Sequence, residues 1–267
     1  MKLLKDIFSD YFASHQAIPA FNIDSFEIYQ AVEAAVSETR LPCVVQLSPN
    51  EDKFITAEKL YLLVKKANLE KLPIYSNLDH GQDINRLVQM SNLGFDMIHF
   101  DGSKLSLDEN LAESSKLVSQ VHPKSLVEIE FNEIGSLEFT DPQKATDFIN
   151  QSQADLLAVS IGNRHGNSPD LPETIDLNLL SQIHQSLPDI FLTLHGGSGI
   201  SGDQIKEAIK FGVVKININT DLRQTFLASL RRELSLQTSE KVHDYLIPAI
   251  AAVKEVVKQK LLDFSHT

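Results

Sequence analysis

An α/β chain closing into a (β/α)8 barrel, with one extra helix at each end, is the fold this sequence predicts, on three observations. Eight strand-then-helix units follow one another within 267 residues, with no composition break, linker or low-complexity tract. The strand stretches are almost continuously apolar, as parallel strands covered on both faces are. Polar residues gather at or just past the C-terminal ends of those stretches, the end at which such a barrel keeps its working residues. Residues 1–267 therefore read as one TIM barrel domain. An open doubly wound sheet is the competing arrangement, and the first strand–helix turn lacks the glycine fingerprint that would mark it.

Taken in order, residues 1–14 mix Lys2, Lys5, Asp6 and Asp10 with apolar residues at helical spacing. That pattern is an amphipathic helix and has no apolar export segment. The first strand is 17–23, and Ser25 then caps a helix over 26–39 with Ile28, Ala31, Val32, Ala35 and Val36 on one face. Strand 43–48 precedes a helix at 56–68, and strand 73–78 leads through Asp79-His80-Gly81 to a helix at 83–90. Strand 95–100 leads through Asp101-Gly102-Ser103 to a helix at 106–121. Strand 125–131 carries Glu128 and Glu130, and Asp141-Pro142 opens a helix reaching 150. Strand 155–161 runs into Gly162-Asn163-Arg164-His165-Gly166, with a helix at 176–186. Strand 190–194 ends in His195-Gly196-Gly197-Ser198, with a helix at 202–211. Strand 213–219 comes last; Thr220 caps a helix to 234, and 241–262 is the final helix.

Composition narrows the function. A hydrophobic fraction of 42% with 22% charged residues suits an ordinary globular chain. The formal charge of -12 argues against nucleic acid as a partner, because phosphate backbones call for a basic face. A small phosphorylated ligand remains compatible, since backbone amides and one helix dipole hold a phosphate locally. No apolar run approaches a membrane span, so the expected compartment is the cytosol. Cys43 is the one cysteine, which leaves metal binding to carboxylates and the nine histidines.

Asn22, Ser48, Asp79, His80, Asp101, Glu130, His165, His195, Asn217 and Asn219 all fall at one rim of the expected barrel. His80, His165 and His195 follow strands three, six and seven; three imidazoles with an open fourth position describe a catalytic zinc site. His99, inside the fourth strand, reads as a packed residue, like the remaining histidines on helices and loops. Asp79 beside His80 is placed either to exchange a proton with a substrate hydroxyl or to cap the next helix. Glu130 reads as an alternative ligand or as a hydrogen-bond partner of a ligand histidine. The amides of Gly196 and Gly197, with the Ser198 and Thr220 hydroxyls, suit a phosphate after strands seven and eight.

These segments resemble the class II, zinc-dependent ketose-bisphosphate aldolases, the family of fructose- and tagatose-bisphosphate aldolases. The resemblance runs through Ile18-Pro19-Ala20-Phe21-Asn22, Gln46-Leu47-Ser48-Pro49, Leu78-Asp79-His80-Gly81, Asp101-Gly102-Ser103, Val127-Glu128-Ile129-Glu130, Gly162-Asn163-Arg164-His165-Gly166, Leu194-His195-Gly196-Gly197-Ser198-Gly199 and Lys215-Ile216-Asn217-Ile218-Asn219-Thr220. It implies a carbohydrate-metabolism lyase of the glycolytic type that cleaves fructose or tagatose 1,6-bisphosphate to dihydroxyacetone phosphate and an aldehyde. It implies His80, His165 and His195 as zinc ligands, Asp79 as the acid/base at the C4 hydroxyl, and Glu130 and Asp101 in the zone that supports the metal. Asn22, Ser48, Gly166, Gly196, Ser198, Asn217, Asn219 and Thr220 match positions that contact substrate or its phosphate. It also implies a monovalent cation near the phosphate and a homodimer or homotetramer, for which Leu246, Ile247, Ile250, Val253, Val256 and Val257 offer an apolar stripe.

Two departures stand out. The family's mobile loop after the fifth strand supplies a further catalytic group, and here 131–140 runs almost directly into the next helix. A member without that loop would turn over slowly, use Glu133 or Glu138 instead, or act on another substrate. After His165-Gly166 this chain continues Asn167-Ser168-Pro169-Asp170, where the family has an aromatic residue and a phosphate-binding lysine. The alternative function is accordingly a family member without the loop, binding zinc or a sugar phosphate as a sensor or scaffold.

Overall fold

The computed structural model describes residues 2–136, 138–164 and 174–265. In chain order it contains α1 (Leu4–Ala13), β1 (Ile18–Asn22), α2 (Phe26–Thr39), β2 (Cys43–Leu47), α3 (Pro49–Ile55), α4 (Ala57–Leu69) and β3 (Ile74–Gly81). There follow α5 (Ile84–Leu93), β4 (Met97–Asp101), α6 (Leu107–Val121), β5 (Leu126–Glu130), α7 (Pro142–Ser152) and β6 (Leu156–Ala158). The last are α8 (Leu177–Ser186), β7 (Phe191–Leu194), α9 (Gly202–Lys210), β8 (Val213–Ile218), α10 (Thr220–Leu236) and α11 (Val242–Ser265). All eight strands are parallel and close into a barrel in sequence order, β8 pairing with β1. The expected architecture, with α1 and α11 as extra helices, is the one observed.

Alternation along each strand sorts side chains into an outer apolar shell under the helices and an inner column. The bottom of the column is apolar: Ile18, Val44, Tyr75, Met97, Leu126, Leu156 and Val214 pack on Leu4 and Phe8 of α1. That helix plugs the N-terminal mouth. The next inward positions are polar and buried: Gln46, Asn77, His99, Glu128, Thr193 and Lys215. Above them stand Asn22, Asp79, Glu130, His195 and Asn217.

Two register shifts break the alternation. Between β3 and β4 the pairing steps from Leu78↔Ile98 to Gly81↔Phe100, three residues against two. Between β7 and β8 it steps from Leu192↔Val213 to Thr193↔Lys215, so Val214 is the extra residue. A bulge of this kind lets consecutive residues face the same side.

One element differs from expectation. The helix at 56–68 is preceded by a separate short helix, α3, which starts directly after β2. Ser48-Pro49-Asn50-Glu51 is its signal, with proline at the first helical position and the glutamate reaching back to the Ser48 amide. Thr220 is the first residue of α10, whose N-cap position belongs to Asn219. Among the described residues no helix is long and apolar enough to cross a membrane.

Candidate active site

The bulge at the end of β3 explains how two neighbouring residues enter one site. His80 has φ 51, a left-handed conformation that a non-glycine residue adopts only under constraint. The His99 Nδ1 supplies part of that constraint, accepting the His80 backbone N–H at 3.0 Å. The turn sets Asp79 at 2% exposure while the His80 ring lies over the mouth of the barrel.

Around these two lies a dense cluster. His80 Nε2 and His195 Nδ1 face each other at 3.1 Å, and His195 Nε2 meets Glu128 Oε1 at 2.8 Å. Lys215 Nζ donates to Glu128 Oε2 at 2.9 Å and to Asn217 Oδ1 at 2.8 Å. His99 Nδ1 lies 3.1 Å from Asp79 Oδ1. Glu130 Oε2 is 3.3 Å from His80 Nδ1 and 3.5 Å from His99 Nε2, and its Oε1 accepts the Ile134 amide at 3.1 Å. Donor atoms of Asp79, His80, His99 and His195 form one group able to hold a metal ion, and those of His80, Asp101 and Glu130 form a second.

Electrostatics follow from burial and proximity. Burial works against the Asp79 carboxylate, yet His80, His99 and Lys215 hold it well below the usual carboxyl range. Burial likewise opposes the Glu128 charge, and Lys215, His99 and His195 overcome it. His195, fully buried, is pushed down to about 4, chiefly by desolvation. For His80 desolvation is outweighed by Asp79, Glu130 and Asp101, which raise it to about 9. A metal bound at His80 would therefore displace a proton.

A pocket opens over this cluster, lined by Asn22, Ser48, Asp79 and His80 on one side. Gly196, Ser198, Asn217, Asn219, Thr220 and Arg223 line the other. Gly196 is obligatory at its turn: φ is +74°, and a Cβ would sit 1.9 Å from the Arg164 carbonyl oxygen. Ser198 Oγ accepts the Asp221 amide in the first turn of α10, joining the glycine turn to that helix N-terminus.

Most of the sequence-selected residues thus converge, with several exceptions. His165 and Gly166 lie outside the described residues. Gly197 stands behind the pocket wall, its amide donating to the Asn217 carbonyl at 3.0 Å, so that N–H is not offered to a phosphate. His99 is corrected from a packed residue to a member of the central cluster, because its position on β4 points into the column. Glu133 and Glu138 are exposed and line no part of the pocket. Glu128, Lys215, Gln46, Glu51 and Arg223 were not singled out. For Glu51 the capping-box spacing was a usable signal, whereas Lys215 depends on the bulge at Val214, which alternation alone does not reveal.

A closed parallel barrel with a histidine–carboxylate cluster able to hold a metal ion, and a pocket over it at the C-terminal mouth, defines a class of barrel enzyme. The family model for class II fructose-bisphosphate aldolase matches residues 2–267, and the chain belongs to that family, whose members are lyases. It is 31% identical to a fructose-bisphosphate aldolase of Streptococcus pyogenes serotype M3, over 92% of this chain and 91% of the relative. It is 29% identical to that of Treponema pallidum, over 96% and 93% respectively. The solved structure of the YdjI aldolase from Escherichia coli K12 superposes with a TM-score of 0.86 at 26% identity, covering 99% of this chain and 97% of that one. Fructose-bisphosphate aldolase of Campylobacter jejuni shares the fold, with a TM-score of 0.83, 22% identity, and 98% and 93% covered.

Proposed function

We propose that this protein is a zinc-dependent aldolase that cleaves a phosphorylated ketose, fructose or tagatose 1,6-bisphosphate, between C3 and C4. The observation that carries the reading is the pair of ring nitrogens, His80 Nε2 and His195 Nδ1, facing each other at 3.1 Å beside a pocket that Gly196, Ser198 and Thr220 also line. Two nitrogens bound at 2.0–2.1 Å to a tetrahedral zinc lie about 3.3 Å apart, so the pair fits that ion. The buried Glu130 Oε2, 3.3 Å from His80 Nδ1 and 3.5 Å from His99 Nε2, adds a carboxylate oxygen beside the same imidazoles. His80 and His195 would hold the metal, with His165 as the third ligand that the family resemblance assigns. When bound, zinc supplies a Lewis acid for the ketose carbonyl and for the negative charge left at C2–C3.

The chain's own residues account for the rest. Glu128, anchored by Lys215, fixes the ring of His195 through Nε2. Asp79, ionised and oriented by Gln46 Nε2 at 3.1 Å, takes the proton from the C4 hydroxyl. The C4 oxygen then becomes the aldehyde carbonyl as the C3–C4 bond breaks and its electron pair stays on the dihydroxyacetone phosphate half. Gly196, Ser198, Asn219 and Thr220 receive the phosphate at the N-terminus of α10, whose dipole favours an anion. Asn22 and Ser48 meet the remainder of the substrate.

His195→Ala tests the reading. Metal analysis should show zinc falling below about a tenth of an equivalent, and a coupled assay should show cleavage reduced at least about a thousandfold. Unchanged turnover would overturn the proposal. A wild-type protein that binds zinc and dihydroxyacetone phosphate but cleaves neither ketose would instead be the non-catalytic relative.

A further inference from the structure

Behind the pocket wall, and absent from its lining, is a glutamate that three of the lining residues share. Glu51, 9% exposed, accepts the Asn22 Nδ2 at 2.9 Å and the Ser48 backbone amide at 2.6 Å on Oε2. Its Oε1 accepts the Asn219 Nδ2 at 3.2 Å. The donors come from the ends of β1, β2 and β8, which are neighbours around the barrel. The network continues inward: Asn22 Oδ1 accepts Gln46 Nε2 at 2.9 Å, and the same nitrogen reaches Asp79 Oδ2.

Helix capping explains only part of this arrangement. A capping-box glutamate needs one contact, to the N-cap amide, and makes it equally well at the surface. Glu51 is instead buried, at the cost of desolvation, and its remaining acceptor capacity goes to two asparagine side chains distant in sequence. The helix that carries it is itself pinned. Arg86 of α5 grips Asp52 of α3 at 2.9 and 3.0 Å and Glu58 of α4 at 2.6 and 3.0 Å. A carboxyl held this firmly fixes the side-chain amides that bind to it.

We propose that Glu51 is a positioning residue for substrate binding: it holds Asn22, Ser48 and Asn219 in the arrangement that grips the ketose phosphate, without touching the ligand itself. The inference rests on the reading of the pocket as a ketose-phosphate site. Its loss therefore shows chiefly in binding, with the metal unchanged and the chemical step reached only indirectly, through Asn22 and Gln46 to Asp79.

The zinc-loaded wild type, Glu51→Ala and Glu51→Gln are to be titrated calorimetrically with dihydroxyacetone phosphate. Zinc content, melting temperature, and KM and kcat for fructose 1,6-bisphosphate are measured alongside. Glu51→Ala should weaken dihydroxyacetone phosphate binding and raise KM at least tenfold, with kcat within threefold and zinc unchanged. Glu51→Gln, which keeps the size and one acceptor oxygen, should fall between the two and remains informative if the alanine variant does not fold. Affinities equal in all three proteins, with only the melting temperature lowered, would reduce Glu51 to a helix cap and overturn the inference. So would a loss of zinc and kcat in step. A wild type that binds no dihydroxyacetone phosphate overturns this inference and the aldolase reading together. Affinity that depends on Glu51 in a protein that cleaves no ketose phosphate removes only the aldolase reading.

Discussion

Glu51 and Lys215 settle their burial in opposite ways. Lys215 has no exposed side-chain surface, and its Nζ is met there by partners of matching chemistry, Glu128 and Asn217. Removing one member of such a pair strands the other, which is why an inward lysine at this depth persists only as part of a set. Glu51 has neutral donors and an acidic neighbour. Burial first, and then the hydrogen bond shared with Asp24, push it up to about 7 against the pull of Asn22 and Ser48. An unfolded chain would hold it near 4.5. Between those values the native protein binds a proton that the unfolded chain does not, so this group's contribution is complete below pH 4.5 and is lost as pH rises through about 7. In urea titrations of the metal-free protein, wild type should lose stability relative to Glu51→Gln between pH 5 and pH 8. A difference that stays flat across that window refutes the assignment.

At the scale of elements, irregular strand and helix ends build the site. The β3 bulge delivers Asp79 and His80 together, the β8 bulge turns Lys215 inward, and the Gly196 turn hands the chain from β7 to the pocket wall. Gly196→Ala asks an L-residue to take a left-handed conformation, about 1–2 kcal/mol on its own, and to share space with the Arg164 carbonyl. Stability should fall by about 2 kcal/mol or more, and KM for the ketose phosphate should rise because the turn must move. A variant with unaltered KM would show that the turn does not contact the ligand. These irregularities also mark where sequence reading reaches its limit. Asp79, His80 and His195 were legible because each follows an apolar run into a glycine. Lys215 was hidden by a one-residue insertion in an otherwise regular strand, and His99 by sitting in mid-strand, where apolar neighbours suggest packing. Glu128 and Glu130 share a parity, and only the closed barrel shows that both face inward.

For the molecule as a whole, stability and chemistry occupy opposite ends of one column. The apolar bottom, closed by Leu4 and Phe8, shares no residue with the pocket at the top. Phe8→Ala should therefore cost about 3–5 kcal/mol in equilibrium unfolding while leaving KM and zinc content unchanged. A shift in KM would mean that the two ends are mechanically linked. The architecture was legible because eight apolar runs, each followed by a helical stretch, admit few closures. The apolar stripe of α11 resolved into barrel packing for Val253 and Val257, both fully buried, and left Ile247 outward at 59% exposure. Helical periodicity marks a stripe but not the neighbour it meets.

The extra residue at the end of β3 has a consequence for heredity. Substitutions can change which side chains Asp79 and His80 are, but none can make a regular strand present two consecutive positions to one cavity. Loss of a single codon there would restore the alternation and turn one of the two toward the apolar shell beneath the helices. The other seven strands would stand as before. A lineage could thus keep the barrel and abandon the reaction in one step, and recovering it would require an insertion at the same place.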